Sequence, residues 1–454
     1  MTGERTPRSR RRAFLAGLAA SAGVALAGCS EVRPSETDST TFTAADAEAV
    51  LADAPSPPAV KWPVPVRPER GAREAAIERV DELLADVPES LGPDDVPNGV
   101  VRESIAEHRD DAVRTRGEAA DATGDDLYHA LRDLREARES ARASSTTLRA
   151  IDEEMEALVD DLATERETVR SAIEDRRGGI EYRGDDADDG RLRAALYYQQ
   201  LESDLDRATA SLDRRRVDAN VIEVGETAGD VEFATATADV WDHFEERYEA
   251  GLDDATTFEP IFEAALDRSI DRAAAVDFPE QDGEEWYDAV GVGDLDDDRL
   301  EFTLWRFGGS VVDARDGTET ARADGDLGTG LYRALEFERT YRAFERLRDR
   351  MAEGTVAAPS DVAEIRDERE RAIEAAAAAR EELPVSEPSP GSYALSETLR
   401  SFEWIDGTVR RAADHDPEVV VSIDKEYGRY ARLRAELEVL PEAVAAFRDR
   451  LLAD

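Results

Sequence analysis

The hydrophobic positions of this chain keep one spacing from residue 71 to its end: apolar residues recur at steps of three and four. That spacing places side chains on one face of an α-helix and leaves the opposite face polar. Helices of this kind are predicted over residues 73–87, 192–216, 233–252, 258–276, 331–351, 361–383 and 393–413. The pattern predicts an all-α protein made of amphipathic helices.

The longest predicted helical stretch runs from residue 100 to about residue 176. Its apolar positions form a heptad-like seam whose phase shifts between Leu148 and Ile151. A turn rich in Gly and Asp over 177–190 separates this seam from the one in 192–216. Two seams joined by a short turn predict an antiparallel, coiled-coil-like helical hairpin.

Several later segments are less regular. Residues 220–232 predict a mixed connector, 294–312 suit a helix or a strand, and 313–330 predict a loop rich in Gly and Asp. Asp416 and Pro417 are the residue types of an N-cap and a first helical position, so they predict a helix that runs to Val439. Pro441 then predicts the start of a separate short helix.

The chain divides into four predicted regions: a signal peptide (1–28), a tether (29–70), a helical hairpin domain (71–216) and a C-terminal helical bundle (217–454). The tether begins rich in Ser, Thr, Asp and Glu, and residues 44–54 predict a short helix within it. Prolines between residues 55 and 68 require an extended backbone. Trp62 lies among them, and we expect its ring to hold this segment against the helical body.

The N-terminus carries the most specific signal in the sequence. Arg8 and three further arginines precede an apolar run over residues 13–27. As a helix this run would span roughly 22 Å, which is short of the ~30 Å hydrocarbon core of a bilayer. It therefore predicts a signal peptide; an uncleaved anchor, or a signal removed without lipidation, is the alternative.

Two motifs in this region resemble known export signals. Arg11, Arg12, Phe14 and Leu15 resemble the twin-arginine motif, and Leu26-Ala27-Gly28-Cys29 resembles a lipobox. With the acidity described below, the N-terminus is similar to that of twin-arginine lipoproteins of halophilic archaea. The resemblance implies export by the twin-arginine translocase, cleavage before Cys29, and a lipid on Cys29 that anchors the protein on the extracellular side of the cell membrane.

Acidic residues outnumber basic ones by 105 to 57, which gives a net charge of −48. Such a surface is typical of adaptation to high salt, where repulsion between carboxylates is screened within ~3 Å at 1 M. A specific cation-binding role, or mimicry of an acidic partner, is the alternative. The charge argues against nucleic acid as a partner, because its recognition needs a basic face. Cys29 is the only cysteine, so the chain has no internal disulfide.

Candidate metal ligands are few. His243 and Glu246 stand three apart, on one helical face, and resemble the His-x-x-Glu pattern of imelysin-like metal-binding lipoproteins. That resemblance implies a transition-metal ion. His415 and Glu418 share the spacing, but there the acids are explained as helix-capping residues. For both pairs we expect structural roles and no cofactor.

The sequence lacks a Gly-x-Ser-x-Gly elbow, a Gly-x-Gly-x-x-Gly loop that opens a helix, and a Walker lysine. The leading hypothesis is therefore a lipid-anchored surface protein that binds a partner protein or organises an envelope complex without catalysis. A metal- or solute-capturing lipoprotein is the alternative. A carboxylate-based hydrolase, with a cleft lined by facing acids and by Trp286 or Trp305, is a third hypothesis.

Overall fold

The computed structural model describes residues 40–214, 220–283, 285–293, 295 and 297–453. Fourteen α-helices make up nearly all of the secondary structure in these residues, so the predicted all-α class is confirmed. The signal peptide, the twin-arginine motif and the lipobox lie outside the described residues. Thr41–Asp454 form one compact unit.

The first half of the unit contains seven helices: α1 (Ala44–Leu51), α2 (Arg70–Leu84), α3 (Gly99–Ala120), α4 (Asp126–Asp152), α5 (Met155–Gly178), α6 (Asp188–Asp213) and α7 (Val221–Ala250). The second half contains α8 (Glu259–Ala274), α9 (Glu285–Ala289), α10 (Asp298–Asp324), α11 (Leu327–Ala352), α12 (Val362–Glu382), α13 (Pro390–Ala413) and α14 (Asp424–Leu452). Short strands form two antiparallel pairs, β1 (Phe42–Thr43) with β4 (Val420–Val421) and β2 (Arg183–Asp185) with β3 (Ala255–Thr257).

Helix α4 is the centre of the first half, where it packs along α7 and against α2 and α3. Helices α11 and α14 organise the second half, together with α10 and α12. One hydrophobic core runs through both halves, from Phe42 in β1 to Leu451 at the end of α14. Because every helix buries an apolar stripe in this core or in a smaller satellite cluster, packing rather than covalent cross-links stabilises the fold.

The predicted hairpin is formed by α5 and α6. Arg170 on α5 pairs with Asp213 at 2.8 Å, and Arg177, about two turns later on α5, pairs with Asp206. From the first pair to the second, the residue numbers rise on α5 and fall on α6, so the two helices are antiparallel. The long seam before it is broken: α4 ends at Asp152 and α5 begins at Met155, just after the phase shift between Leu148 and Ile151.

The predicted connector at 220–232 is wrong, because residues 221–232 form the beginning of α7 and Asn220 is its cap. Asn220 caps this helix by accepting hydrogen bonds from the backbone N–H groups of Ile222 and Glu223. Gly225 and Gly229 of this helix face α4 at close range. They allow two helix backbones to approach, so here glycine serves packing and not chain reversal.

The predicted loop at 313–330 is also wrong. Helix α10 continues from Asp298 to Asp324, which settles the ambiguous segment before it as helix. Gly325, with φ of 85°, ends it in the left-handed conformation that glycine favours. Gly308 is retained inside the helix because a Cβ there would lie 2.5 Å from the ring of Trp286.

The predicted helix start at Asp416 is wrong too. Asp416 lies in a turn, where its carbonyl oxygen accepts a hydrogen bond from the Val419 N–H at 2.8 Å. The following residues form β4, and α14 begins only at Asp424. Pro441 lies inside α14 and does not start a separate helix. Burial of the flanking Val439, Leu440 and Ala443 stabilises the helix through this proline.

Candidate functional site

The residues predicted for export and anchoring are not described by the structure. Arg11, Arg12, Phe14 and Leu15 of the export motif, and Leu26-Ala27-Gly28-Cys29 of the lipobox, all lie before residue 40. Cleavage, lipidation and the export route therefore stay predictions. Among the described helices, none is both long and apolar enough to cross a membrane.

His243 lies half-buried on α7, and its Nε2 accepts a hydrogen bond from the backbone N–H of Glu69 at 3.0 Å. Burial lowers the pKa of His243, so the ring is neutral near pH 7 and carries its proton on Nδ1. Glu246 is exposed. In the residues that the structure describes, no cluster of three or more His, Cys, Asp or Glu is arranged to hold a metal ion. The metal alternative stays a prediction.

Trp286 and Trp305 belong to the aromatic core of the second half. Trp286 is buried, and its indole N–H donates to the Pro279 carbonyl at 3.3 Å. The two indole rings meet edge to face with centroids 5.3 Å apart. His415 lies in the turn that follows α13, outside any helix. These residues are explained by packing and chain reversal.

A surface that the sequence did not reveal lies where α10, α13 and α14 meet. Phe302 and Arg306 come from α10, Trp404 from α13, and Lys425, Arg429 and Arg432 from α14; we call this surface the basic-aromatic groove. The cations of α14 stand four and three apart, and Arg299, Phe302 and Arg306 of α10 stand three and four apart, so each helix presents one face to the groove. The groove encloses about 690 Å³.

The two aromatic rings are the largest exposed apolar side chains of the described structure. Phe302 is 59% exposed and Trp404 is 57% exposed. The guanidinium carbon of Arg429 lies 4.2 Å from the Trp404 ring centroid, and that of Arg306 lies 5.8 Å from Phe302. Such cation–π contacts fix the rings without burying them. An exposed pair of large rings in a concave surface is typical of a binding site.

The charge of the groove is opposite to that of the chain. Its lining contains five cations and two carboxylates, in a protein of net charge −48. Three cations are paired: Arg299 with Asp424, Arg429 with Glu426 at 2.7 Å, and Arg432 with Glu436 at 2.9 Å.

Two cations of the groove are left available. Within the described residues, neither Arg306 nor Lys425 has a carboxylate within 4.0 Å. Lys425 is one of only two lysines in the chain.

The carboxylates of α14 respond to burial and to these arginines in opposite ways. Burial raises the pKa of Glu426, although Arg429 opposes that shift. Burial also acts to raise the pKa of Glu436, but Arg432 and Arg339 outweigh it and lower that pKa. Glu436 is therefore ionised at neutral pH, which keeps Arg432 tied to α14 and leaves Arg306 and Lys425 to meet an incoming anion.

The groove is lined for binding by its exposed rings and its cations. No histidine is among the residues that line it, the hydroxyl of Thr303 donates to the Arg299 carbonyl at 2.8 Å, and Ser401 supplies a second hydroxyl. The available signals were the cations at 425, 429 and 432 and the pair at 302 and 306. Periodicity does not bring these two sets together, because it does not show which distant helices are neighbours.

Two family models match parts of the chain. Residues 71–254 are similar to the family described as "Domain of unknown function (DUF8262)", and residues 259–449 to "Domain of unknown function (DUF8264)". No curated protein and no solved structure matches the chain significantly. The groove lies wholly in the second matched region, which runs from α8 into α14. The predicted domain boundary at 216/217 falls on residues 215–219, outside the described residues.

Proposed function

We propose that this protein is a lipid-anchored binding component of the cell envelope that captures an acidic segment of a partner protein in the basic-aromatic groove. The observation that carries the proposal is the exposure of Phe302 and Trp404 in a concave surface whose free cations are Arg306 and Lys425. The proposed partner segment carries Asp or Glu around at least one large apolar side chain.

Apolar burial supplies most of the affinity in this proposal. In molar salt the screening length is only ~3 Å, so charges attract only when they are in contact. Covering Phe302 and Trp404 removes apolar surface from water at about 25 cal/mol per Å². Contact pairs with Arg306 and Lys425 then fix the orientation and favour an acidic segment over a neutral one. Aromatic and Arg side chains are also the residue types that dominate measured interface energies.

The shape of the groove favours a polypeptide over a lipid surface. Three helices wall a cavity, and a flat layer of head groups would reach only its rim. A peptide helix or extended segment can place one side chain between Phe302 and Trp404. The location of the protein rests on the sequence: a lipid on Cys29 and export by the twin-arginine translocase would present the groove outside the cell.

The test is site-specific photo-cross-linking in intact cells, with the photoreactive residue at position 302. We expect one dominant polypeptide adduct whose cross-linked peptide is rich in Asp and Glu. Arg306→Glu combined with Lys425→Glu should abolish the adduct, because both free cations become repulsive. The matched control places the photoreactive residue at Val100, a similarly exposed apolar position on α3.

Three outcomes would overturn the proposal. They are adducts to lipid alone, the same adducts from positions 100 and 302, and an adduct that survives the double charge reversal. Thermal unfolding of each variant, compared with the unmodified protein, shows whether a lost adduct comes from a lost fold.

A further inference from the structure

A second cavity, of about 1080 Å³, lies between helices α4, α6 and α13 and the proline-rich segment 55–68, which we call the proline strap. It is distinct from the basic-aromatic groove, although α13 contributes to both. Ser401, Trp404 and Ile405 of α13 line the groove, whereas Tyr393 and Phe402 line this strap cleft.

The proline strap forms a fixed wall because the helical body holds it by its carbonyl groups. Arg369 donates to the Pro55 carbonyl at 3.0 Å, and Arg193 donates to that of Pro65 at 2.6 Å. The hydroxyl of Ser396 donates to the Lys61 carbonyl at 3.5 Å. Prolines have little backbone freedom left to lose, so this wall exists before any ligand binds.

Trp62 provides an aromatic face in this wall. Its ring centroid lies 5.4 Å from that of Tyr393 and 6.5 Å from that of His129. Trp62 is only half-buried, so part of the indole remains open to the cleft. These contacts are consistent with the expected role of Trp62 in holding the tether against the body. The open face of its ring is also available to a ligand in the cleft.

The floor of the cleft is a locked polar network. Asp204 is fully buried and accepts hydrogen bonds from Arg132 at 2.8 and 3.1 Å and from the Trp241 indole at 3.0 Å. Arg135, which is also buried, lies 2.8 Å from the same carboxylate. Burial opposes ionisation of Asp204, but the two arginines outweigh it and hold its pKa well below its usual range. The floor therefore presents groups of fixed position.

Two polar groups of the cleft are without a partner. Nε2 of His129 is buried and has no hydrogen-bond partner among the described residues. Burial lowers the pKa of His129 to about 4, so the imidazole is neutral near pH 7. Nε2 of His129 is enclosed and presents no surface to a ligand. Arg400 is exposed at the rim and, in the described part of the chain, has no carboxylate within 4.0 Å, so its guanidinium group is available to a ligand hydroxyl.

The charges of the cleft balance. Five arginines and five carboxylates line it, in a chain with nearly twice as many acids as bases. A strongly charged ligand gains nothing from such a lining. A hydroxyl group donates and accepts at once, so a hydroxyl-rich ligand can use guanidinium and carboxylate groups together.

We infer that the strap cleft binds a neutral, hydroxyl-rich ligand, a short oligosaccharide. Its hydroxyl groups meet the mixed polar lining, and the apolar C–H face of one ring packs on Trp62. The volume slightly exceeds that of a usual small-molecule pocket, which suits two or three sugar rings. This site is independent of the proposed partner groove.

The test is isothermal titration calorimetry on the full protein in molar salt, with maltotriose, cellotriose and mannotriose as probes. We expect at least one to bind, with an affinity that changes little when the salt concentration is doubled. Trp62→Ala should weaken that binding about tenfold, because the stacking surface is lost. Trp404→Ala, an indole substitution in the other groove, should leave it unchanged.

Arg400→Gln provides a second test, because this exposed and unpaired residue can be replaced without disturbing the fold; it should weaken binding severalfold. The inference is overturned if none of the three trisaccharides binds, or if trigalacturonate binds in their place. Unchanged affinity of a folded Trp62→Ala protein would overturn it as well. Failure of the photo-cross-linking at position 302 would leave this result untouched.

Discussion

At the scale of single residues, Glu202 shows how a buried carboxyl group joins two helices and the segment before β2. It lies on α6 and accepts hydrogen bonds from the Tyr182 hydroxyl at 2.7 Å and from the backbone N–H groups of Gly328 and Thr329 at 3.0 and 2.5 Å. Those two N–H groups belong to the first turn of α11, where a helix has no partners of its own. Burial is the larger effect and raises the pKa of Glu202 to about 7.

This pKa makes stability depend on pH in an unusual direction for an acid. The folded pKa of about 7 lies above the ordinary value of 4.5, so folding takes up a proton between these limits. The contribution is fully present below pH 4.5 and is lost as the pH rises through 7.

Glu202→Gln removes this titration. The unfolding free energy of the wild type, minus that of the variant, should therefore fall by roughly 3 kcal/mol from pH 4.5 to 7.5. Denaturant unfolding across this range measures the difference, with Glu174→Gln on the exposed face of α5 as the control. A constant difference, or one that grows with pH, would show that the hydrogen bonds keep Glu202 ionised.

At the scale of elements, helices α4 and α7 approach each other closely at a glycine. A Cβ at Gly225 on α7 would lie 1.8 Å from the hydroxyl oxygen of Thr147 on α4. Gly117 lies inside α3 with open space around it. Both glycines have helical backbone conformation, one in α3 and one in α7, and they differ in what surrounds them.

Alanine at these two glycines should therefore change stability in opposite directions. We expect Gly225→Ala to destabilise the protein by about 1–3 kcal/mol, because α4 and α7 must move apart. Gly117→Ala should stabilise it by roughly 0.5–1 kcal/mol, because alanine favours the helix and meets no neighbour. Chemical denaturation of both variants gives the two free energies, and equal effects would contradict this account of the contact.

The elements that the sequence predicted well are those with a clear apolar stripe and no glycine or proline beyond the first helical turn. Helices α2, α8 and α12 are of this kind, and their predicted bounds lie within a few residues of the observed ones. Helices α7, α10 and α14 were misplaced because each contains residues that disfavour a helix locally, by about 1 kcal/mol for Gly and about 3 for Pro. Packing in the folded protein outweighs these penalties. The spacing of apolar residues along one segment gives no information about that packing.

The candidate sites could not be predicted for a related reason. Phe302 lies off the buried stripe of α10, and Trp404 lies off that of α13, so the spacing within each helix agrees with their exposure. It does not show that the two rings share one surface. The basic-aromatic groove combines residues separated by more than a hundred positions, and the strap cleft combines residues from Pro57 to Arg410. Only the arrangement of the helices brings them together.

At the scale of the whole molecule, net charge and location are linked. A chain of net charge −48 is repelled by anionic head groups, so a lipid attachment and a polar tether suit it better than a surface helix would. The proposed location therefore depends on Cys29 alone, because it is the only thiol that could carry the lipid.

Cys29→Ser should leave the precursor uncut and abolish metabolic lipid labelling, since serine lacks the thiol to be alkylated. Partition between detergent and aqueous phases, together with mass spectrometry of the N-terminus, measures both effects. Ser30→Ala, next to the predicted attachment residue, is the control and should behave as the wild type. Unchanged detergent partition of Cys29→Ser protein would exclude lipidation at this position.

The pairing of β1 with β4 has a consequence for synthesis. Phe42 and Thr43 cannot find their partners until Val420 and Val421 have left the ribosome, and α1 packs on α12 and α13, which are also made late. The earliest described part of the body therefore cannot pack in place until nearly the whole chain has been made. If the translocase accepts only folded proteins, it would reject a truncated product, in which residues 42 and 43 have no strand to pair with. Formation of this two-residue strand pair would then distinguish a complete chain from an incomplete one.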